Sequence, residues 1–338
     1  MDPNPQSYIL SQSELRAIFE RDIVPAELET GKLRTRLATN AETTQRPLAV
    51  LVVGQTGAGK TRIAPTIKQA IRSCRGEPAH FIADTYKTYH PAYTRLIVER
   101  PALASPATRT DARRWLAMAA AYAVARRIDV LLESACRNPE DFVDLTQAFH
   151  EGGYRVEVVI MAVPKGLSRL GILTRFYEKL PEAGSGNLPV RLTPKTVHDD
   201  SYEHIFDAAA VADGSVAIDQ IVVMRRDNVV AYANERVGSG EWRKRAAAAE
   251  AIRTEIGRPL LPTERSIAYE DLDKLRKRKV PELASQVTEI ETLLEAILTK
   301  ANDTDLPSLR PLSLPSGNNE TDKVNLDKLD LRLGLYLS

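Results

Sequence analysis

The stretch Gly54-Gln55-Thr56-Gly57-Ala58-Gly59-Lys60-Thr61 decides the fold, because it matches the pattern G-x-x-x-x-G-K-[ST] in full. An apolar run at 47–53 precedes it and is typical of a buried parallel strand. Residues 61–73 follow it with apolar side chains at helical spacing. A strand, a glycine-rich turn and a helix start form a loop whose backbone N–H groups surround the phosphates of a nucleoside triphosphate. The sequence therefore predicts a P-loop.

Each residue type in this stretch has a chemical reason. The glycines allow a tight turn and a close approach of phosphate to the backbone, both of which a Cβ would block. Lys60 is expected to reach the β- and γ-phosphates, and the Thr61 hydroxyl is expected to bind Mg²⁺. A chance match in a strand-to-helix turn is the alternative, and the flanking elements argue against it. We therefore predict ATP and Mg²⁺ as ligands.

Apolar runs and helical segments alternate along the first 238 residues. Strands are predicted at about 47–53, 79–83, 128–133, 155–163 and 220–226, and helices at about 60–73, 108–127, 139–151, 165–181 and 195–212. This βαβα order predicts an α/β fold of the P-loop NTPase or kinase type, with a mostly parallel twisted sheet flanked by helices on both faces.

The outer parts of the chain have other patterns. Ser11 to Leu28 is predicted as an N-terminal helix, and the turn dipeptide Asp227-Asn228 predicts an antiparallel hairpin between 220–226 and 229–234. Segments 241–257 and 269–300 are charged and helical in pattern without a strand, and 301–322 lacks periodicity. We therefore divide the chain into a kinase-like domain at 1–238 (1–46 being the N-terminal helix and loop), a C-terminal helical extension at 239–300 and a flexible tail at 301–338.

Composition limits the classes of protein. A hydrophobic content of 43% in 338 residues supports a large buried core, and the net charge of +1 argues against a nucleic-acid binder dominated by electrostatics. Cys74 and Cys136 are too few for a disulfide framework. No secretion signal and no apolar run of membrane-spanning length is present in the sequence. We expect a cytoplasmic protein without nucleic-acid or membrane partners.

Candidate catalytic residues follow the predicted strands, because ligands of α/β sheets bind at the carboxyl ends of the strands. Asp84 ends the second strand, where its carboxylate could accept the proton of a hydroxyl that attacks the γ-phosphate. The alternative role for Asp84 is an N-cap of the next helix. Glu133 ends the third strand, and with Arg137 it could bind hydroxyls or a second phosphate of an acceptor. The alternative for this pair is a structural ion pair.

Several segments together resemble the zeta toxin family, P-loop kinases from bacterial toxin–antitoxin systems that phosphorylate UDP-N-acetylglucosamine. The segments beginning at Asp84 and Met161 are far more specific than the P-loop. Besides the P-loop, the matching segments occur in the family's order, from about residue 8 to 235: Asp84-Thr-Tyr-Lys-x-x-His90-Pro91-x-Tyr93, Glu133 with Arg137, Gly153-Tyr154, Met161-Ala-Val-Pro-Lys165, Arg175-Phe-Tyr-Glu178, Arg191-x-Thr193-Pro194-Lys195 and His198-Asp199.

The resemblance implies a role for each matching residue on the acceptor side. Asp84 would be the base that takes the proton from the 3′-hydroxyl of the N-acetylglucosamine moiety. Glu133 and Arg137 would bind the sugar nucleotide. The product would reduce the supply of cell-wall precursor, and an antitoxin protein would be the partner of such a toxin.

The resemblance also implies the residues on the phosphate side. Lys60 and Thr61 would hold the triphosphate and Mg²⁺, and Arg175 and Arg191 would clamp the γ-phosphoryl group during transfer. Spacing alone would not select these two arginines among the many in the chain. Guanidinium groups at that position stabilise the negative charge spread over the transferring group.

Two departures from the family concern the acceptor. The family's Glu-Gly-Thr is here Glu133-Ser134-Ala135, and the helix at 108–127 has no carboxylate at its middle, only Asp111 near its start. These losses leave the phosphoryl-transfer residues intact and favour a rival, a P-loop kinase of a different nucleotide, antibiotic or sugar nucleotide. A second rival is a non-catalytic ATP-binding module. The joint presence of Asp84, Arg175 and Arg191 counts against the module, because a binder needs no proton acceptor.

Overall fold

A seven-stranded sheet in the order β2-β3-β1-β4-β5-β6-β7 forms the centre of the protein, in a computed structural model that describes residues 4–29, 46–179, 192–298 and 309–315. Strands β1 to β5 are parallel, and β6 and β7 pair antiparallel. The prediction of a mostly parallel sheet is confirmed. The strands are β1 (Leu48–Val53), β2 (Ala79–Ile82), β3 (Val130–Ser134), β4 (Arg155–Met161), β5 (Gln220–Met224), β6 (Val229–Glu235) and β7 (Arg310–Pro311).

Helices cover both faces of the sheet, because β1 and β4 are buried along their whole length and expose no polar face to water. Two clusters of buried apolar side chains form the core. The helices are α1 (Gln12–Ile18), α2 (Lys60–Arg75), α3 (Tyr93–Glu99), α4 (Pro101–Arg126), α5 (Pro139–Glu151), α6 (Lys165–Lys179), α7 (Lys195–Gly214), α8 (Ala248–Gly257), α9 (Pro262–Arg276) and α10 (Pro281–Leu298), with 3-10 turns at Pro5–Tyr8 and Thr85–Tyr89 and a π-helix at Phe19–Leu28.

The N-terminal segment begins as the sequence predicts. The Ser11 side chain accepts a hydrogen bond from the backbone N–H of Glu14, and the Glu14 carboxylate accepts one from the backbone N–H of Ser11. From Phe19 onward the helix widens to π geometry over a stretch that contains Pro25, a residue without a backbone N–H to donate.

Three predicted boundaries are wrong. The helix predicted at 108–127 begins at Pro101, because proline is well suited to the first helical position. The helix predicted at 241–257 begins only at Ala248, since Trp242 instead forms a β-bridge with Arg236 and donates its indole N–H to the backbone oxygen of Asp213. The helix predicted at 269–300 is two helices, α9 and α10, which are interrupted before Pro281.

The C-terminal helices pack on the same core as the sheet. Buried side chains of α9 and α10 join the cluster that covers α2 and α6, and Arg169 of α6 lies 2.8 Å from the carboxylate of Glu289 on α10. Strand β7 lies in the segment predicted as a flexible tail and pairs with Val229 and Val230 of β6. The division into domains stays a prediction. Among the described residues, no helix is both long and apolar enough to cross a membrane.

Candidate active site

The P-loop connects β1 to α2 through two left-handed glycines. Gly57 has φ +82° and Gly59 has φ +99°, values that a residue with a Cβ adopts only with strain. A Cβ on Gly57 would lie 2.1 Å from the backbone oxygen of Ser168. The Lys60 ammonium donates to the carbonyl oxygens of Gly54 at 2.6 Å and Gln55 at 3.3 Å. The loop therefore has the cradle geometry that suits a phosphate chain.

Neighbouring elements hold this loop in place. The buried amide of Gln55 donates to the backbone oxygen of Val163 at 2.7 Å. The backbone N–H of Thr56 donates to the Ser201 hydroxyl of α7 at 3.4 Å. The Arg226 guanidinium, in the turn after β5, donates to the backbone oxygen of Gly57. Segments that follow β4 and β5, together with α7, therefore hold the loop in this conformation.

A cavity of ≈ 490 Å³ opens beside the P-loop and collects most of the predicted site residues. Gly54, Gln55 and Ala58 are buried within the loop. Arg191 lies outside the described residues, and its assignment stays a prediction. The predicted residues that line the cavity are Thr56, Gly57, Gly59, Lys60, Thr61, Asp84, Glu133, Arg137 and Arg175.

The charges around Lys60 act on one another. Burial lowers the pKa of Lys60 to about 8, the carboxylates of Asp84 and Glu133 oppose that effect, and Arg175 adds to it. Asp84, Glu133 and Arg175 therefore share one electrostatic environment with the P-loop ammonium. An anionic ligand in the cavity would relieve the repulsion between Lys60 and Arg175.

Asp84 sits at the N-cap position of the 3-10 turn at Thr85–Tyr89, but its side chain makes no capping hydrogen bond. Its carboxylate is 71% exposed and lies 2.5 Å from the Lys87 ammonium. The Asp84 carboxylate therefore lines the cavity and does not cap the turn. This geometry favours the proton-acceptor role over the N-cap role.

Glu133 and Arg137 both line the cavity, but each has another partner, so the alternative of a mutual ion pair is wrong. Glu133 is only 4% exposed, and its Oε1 lies 2.9 Å from His80 Nε2. The Oε2 of Glu133 is buried without a hydrogen-bond partner among the described residues. Arg137 pairs with Asp200 of α7 at 2.9 Å. A buried carboxylate oxygen without a donor is a ready acceptor for a ligand hydroxyl.

Helix α4 adds two arginines that sequence reasoning missed. Arg109 and Arg113 lie four residues apart and, with Ala112 and Leu116, form the helix face that lines the cavity. Arg113 pairs with Asp141, whereas Arg109 forms no salt bridge with a described residue. Burial lowers the pKa of Arg109, and its neighbours Arg137 and Arg113 lower it further. The four-residue spacing places the two arginines on one face of the helix but does not indicate that this face lines the cavity.

Asp111 of α4 and Ser134 of β3 each make a structural hydrogen bond to the backbone. Asp111, the only carboxylate of this helix, is fully buried and accepts from the backbone N–H of Leu10 at 3.0 Å and from Arg114 at 3.1 Å. It does not line the cavity. The Ser134 hydroxyl accepts the backbone N–H of Cys136, which has φ +49°. Helix α4 therefore presents cations rather than a carboxylate to the cavity.

Comparisons with known proteins identify relatives of this chain. A family model described as "Zeta toxin" matches residues 32–237. The chain is 27% identical over 196 residues to "Toxin PezT" of Streptococcus pneumoniae, covering 58% of this chain and 75% of that protein. It is 26% identical over 156 residues to "Toxin zeta" of Streptococcus pyogenes, covering 46% of this chain and 52% of that protein. The chain thus spans about half the length of the zeta toxin.

Solved structures support the fold. A chain from the PezAT chromosomal toxin–antitoxin system of Streptococcus pneumoniae superposes with a TM-score of 0.59 at 20% identity, covering 79% of this chain and 98% of that one. A complex of AvrRxo1-ORF1 and AvrRxo1-ORF2 with sulphate ions gives a TM-score of 0.50 at 18% identity, covering 84% and 85%. At these identities the likeness concerns the fold alone.

Proposed function

The chain belongs to the zeta toxin family, and we propose that it is a kinase that transfers the γ-phosphate of ATP to a hydroxyl of an anionic small molecule. The acceptor we propose first is the 3′-hydroxyl of UDP-N-acetylglucosamine, whose phosphorylation would inhibit the supply of cell-wall precursor. One observation carries the proposal: a single cavity is lined by the P-loop lysine Lys60, by the carboxylate of Asp84, which caps no turn, and by the acceptor-side residues Glu133 and Arg137.

In this mechanism the chain's residues position the groups and balance charge. Asp84 accepts the proton of the acceptor hydroxyl as that oxygen attacks phosphorus. Lys60 and Arg175 face the negative charge that spreads over the transferring phosphoryl group, and Arg191 is proposed to join them. When bound, Mg²⁺ would neutralise phosphate charge, with the Thr61 hydroxyl as its protein ligand. The left-handed glycines and the inward-turned Lys60 fit a Mg²⁺–triphosphate group.

The acceptor side supports a ligand with both hydroxyl and anionic groups. The unpartnered Oε2 of Glu133 suits a hydroxyl, and the guanidinium groups of Arg109, Arg113 and Arg137 suit a diphosphate. A cationic acceptor, such as an amino-sugar antibiotic, would be repelled by these arginines. The cationic face of α4 favours one second candidate, a different nucleotide as the acceptor in place of the sugar nucleotide.

An antitoxin is the protein partner we propose. The PezAT structure is described as a toxin–antitoxin system, and this chain shares its fold over most of that chain's length. A cytoplasmic location would give such a kinase access to ATP and nucleotide sugars. Co-purification from cells that also express the neighbouring genes would test the partner directly.

The experiment that tests the function is an acceptor screen. The protein is incubated with ATP, Mg²⁺ and one acceptor at a time: UDP-N-acetylglucosamine, a dinucleotide or an aminoglycoside. Mass spectrometry then measures the masses of the products. A sugar nucleotide heavier by one phosphate supports the first proposal, and a phosphorylated dinucleotide supports the second. If every acceptor is unchanged while ATP binds, the non-catalytic module is the better account.

Replacing Arg175 with alanine is expected to lower kcat by about 10³-fold, the lower end of measured arginine-finger effects, with little change in ATP affinity. The charge on the equatorial oxygens changes most in the transition state, so the loss should appear in kcat. Steady-state kinetics and calorimetric ATP titration measure the two quantities. Lys179→Ala is the control, because Lys179 is exposed on the same helix and lies outside the cavity. If Arg175→Ala lost ATP affinity with kcat unchanged, Arg175 would bind ATP in the ground state, and its proposed role in the transition state would be contradicted.

Replacing Arg109 with alanine is expected to raise the KM for the acceptor about 10-fold with ATP affinity unchanged, because a charge-assisted contact to an acceptor phosphate is lost. Initial rates at varied acceptor concentration measure this change. Arg126→Ala serves as the control, since Arg126 is exposed on the same helix outside the cavity. An unchanged KM in Arg109→Ala would argue against an acceptor phosphate at α4.

A further inference from the structure

The sheet order separates the two ends of the cavity. Asp84 follows β2 and Glu133 lies at the end of β3, two strands on one side of β1, and the turn after β5 with Arg226 and Asp227 lies on the other side. The P-loop follows β1, between these two ends. If the γ-phosphate faces Asp84, as the proposed function requires, the nucleoside of the same triphosphate must extend toward the β5 side.

Helix α9 lines the cavity on that β5 side. Its cavity-facing residues lie at positions i, i+3, i+4 and i+7, which is one face of a helix, and the residues are Glu264, Ile267, Ala268 and Asp271. The helix is held in place, because Ala268, Leu272 and Leu275 are buried in the core cluster shared with α6 and α10. The face that α9 turns to the cavity is therefore a fixed wall.

The chemistry of this wall differs from that of the phosphate and acceptor regions. Ile267 is 59% exposed although it is a large apolar side chain at the cavity surface. Arg226 lines the same cavity and is anchored to the backbone oxygens of Gly57 and Leu167, and its Nε is buried without a hydrogen-bond partner among the described residues. The polar side chains of the wall are the carboxylates Glu264 and Asp271. An exposed apolar side chain and a flat guanidinium are groups that can contact the face or edge of a nucleic-acid base.

We propose that α9 forms one wall of the nucleoside subsite and that Ile267 contacts the base of the bound nucleoside triphosphate. This inference rests on the proposed function, since it takes the triphosphate to bind at the P-loop. Helix α9 lies beyond residue 237, where the match to the family model ends. The C-terminal helices therefore contribute to donor binding in this chain in addition to packing on its core.

The test compares two probes and two variants of the full chain. Calorimetry measures the Kd of the non-hydrolysable ATP analogue AMP-PNP and of inorganic tripolyphosphate, each with Mg²⁺. Ile267→Ser removes the apolar contact, and Tyr269→Ser is the matched control, because Tyr269 is 54% exposed on the same helix but does not line the cavity. Ile267→Ser is expected to weaken AMP-PNP about 10-fold and to leave tripolyphosphate unchanged, because tripolyphosphate has no base. Tyr269→Ser is expected to change neither.

Each other outcome overturns the inference in a distinguishable way. An unchanged AMP-PNP affinity in Ile267→Ser means that the base lies elsewhere. An equal loss for both probes means that the substitution acts through the P-loop and not through the base. If the parent protein binds neither probe, the proposed function itself fails and the inference fails with it. Melting temperatures of the two variants, both at exposed positions, verify that the fold is retained.

Discussion

The Asp84→Asn variant should bind ATP as tightly as the parent and transfer phosphate about 10²–10⁴-fold more slowly, the range typical of a lost general base. Asparagine keeps the size and hydrogen-bonding capacity of aspartate but cannot take a proton. The side chain of Asp84 caps no helix, so the substitution removes no such cap. Single-turnover rates with saturating acceptor, together with calorimetric ATP binding, measure the two quantities.

The control for this substitution is Asp144→Asn, which makes the same chemical change at an exposed carboxylate outside the cavity. It should keep the parental rate. Lys87 pairs with Asp84, so we expect the melting temperature of Asp84→Asn to fall only slightly, as is usual for an exposed ion pair. Transfer at the parental rate in Asp84→Asn would remove Asp84 from the chemistry and contradict the proposed mechanism.

The Lys60→Met variant should lose about 10³-fold or more in kcat/KM, because the ammonium contacts phosphate oxygens in both the ground and the transition state. Methionine keeps an unbranched side chain but has no charge. Since burial already lowers the pKa of Lys60, a neutral side chain should be accommodated without loss of thermal stability. Kinetics, ATP titration and a thermal melt cover the three expectations.

Lys68→Met is the matched control on the same helix. Lys68 also belongs to α2, but its ammonium pairs with Glu77 at 3.3 Å and does not line the cavity. Both its activity and its ATP affinity should stay at the parental level. Parental turnover in Lys60→Met would mean that the glycine-rich loop does not hold the triphosphate.

The P-loop and the sheet could be predicted because their signals are local. The run of apolar residues in β1, the left-handed glycines at Gly57 and Gly59 and the start of α2 are contiguous in the chain. Parallel β-strands that alternate with helices leave few topologies to consider. Asp84 and Glu133 were found by the same logic, since each stands at the end of a predicted strand.

The other walls of the cavity could not be predicted, because they come from distant parts of the chain. Arg109 belongs to the long helix α4, and the sequence around it does not indicate which face of that helix lines the cavity. Helix α9 begins with a proline at its first position, so its existence was readable, but its place beside the P-loop depends on packing against α6. Arg226 is the exception, because it stands two residues after β5, as Asp84 does after β2, and the rule that selected Asp84 would have selected it too.

The two residues of β7 have a consequence for handling the protein. Without them, the outer edge of β6 at Val229 and Val230, where β7 pairs, would be open to pairing with another chain. Pro311 itself lacks an N–H, which makes β7 a poor template for further strand addition. A recombinant version shortened to end before Arg310 would expose β6 as an unprotected edge strand, and we expect it to aggregate more readily than the full chain.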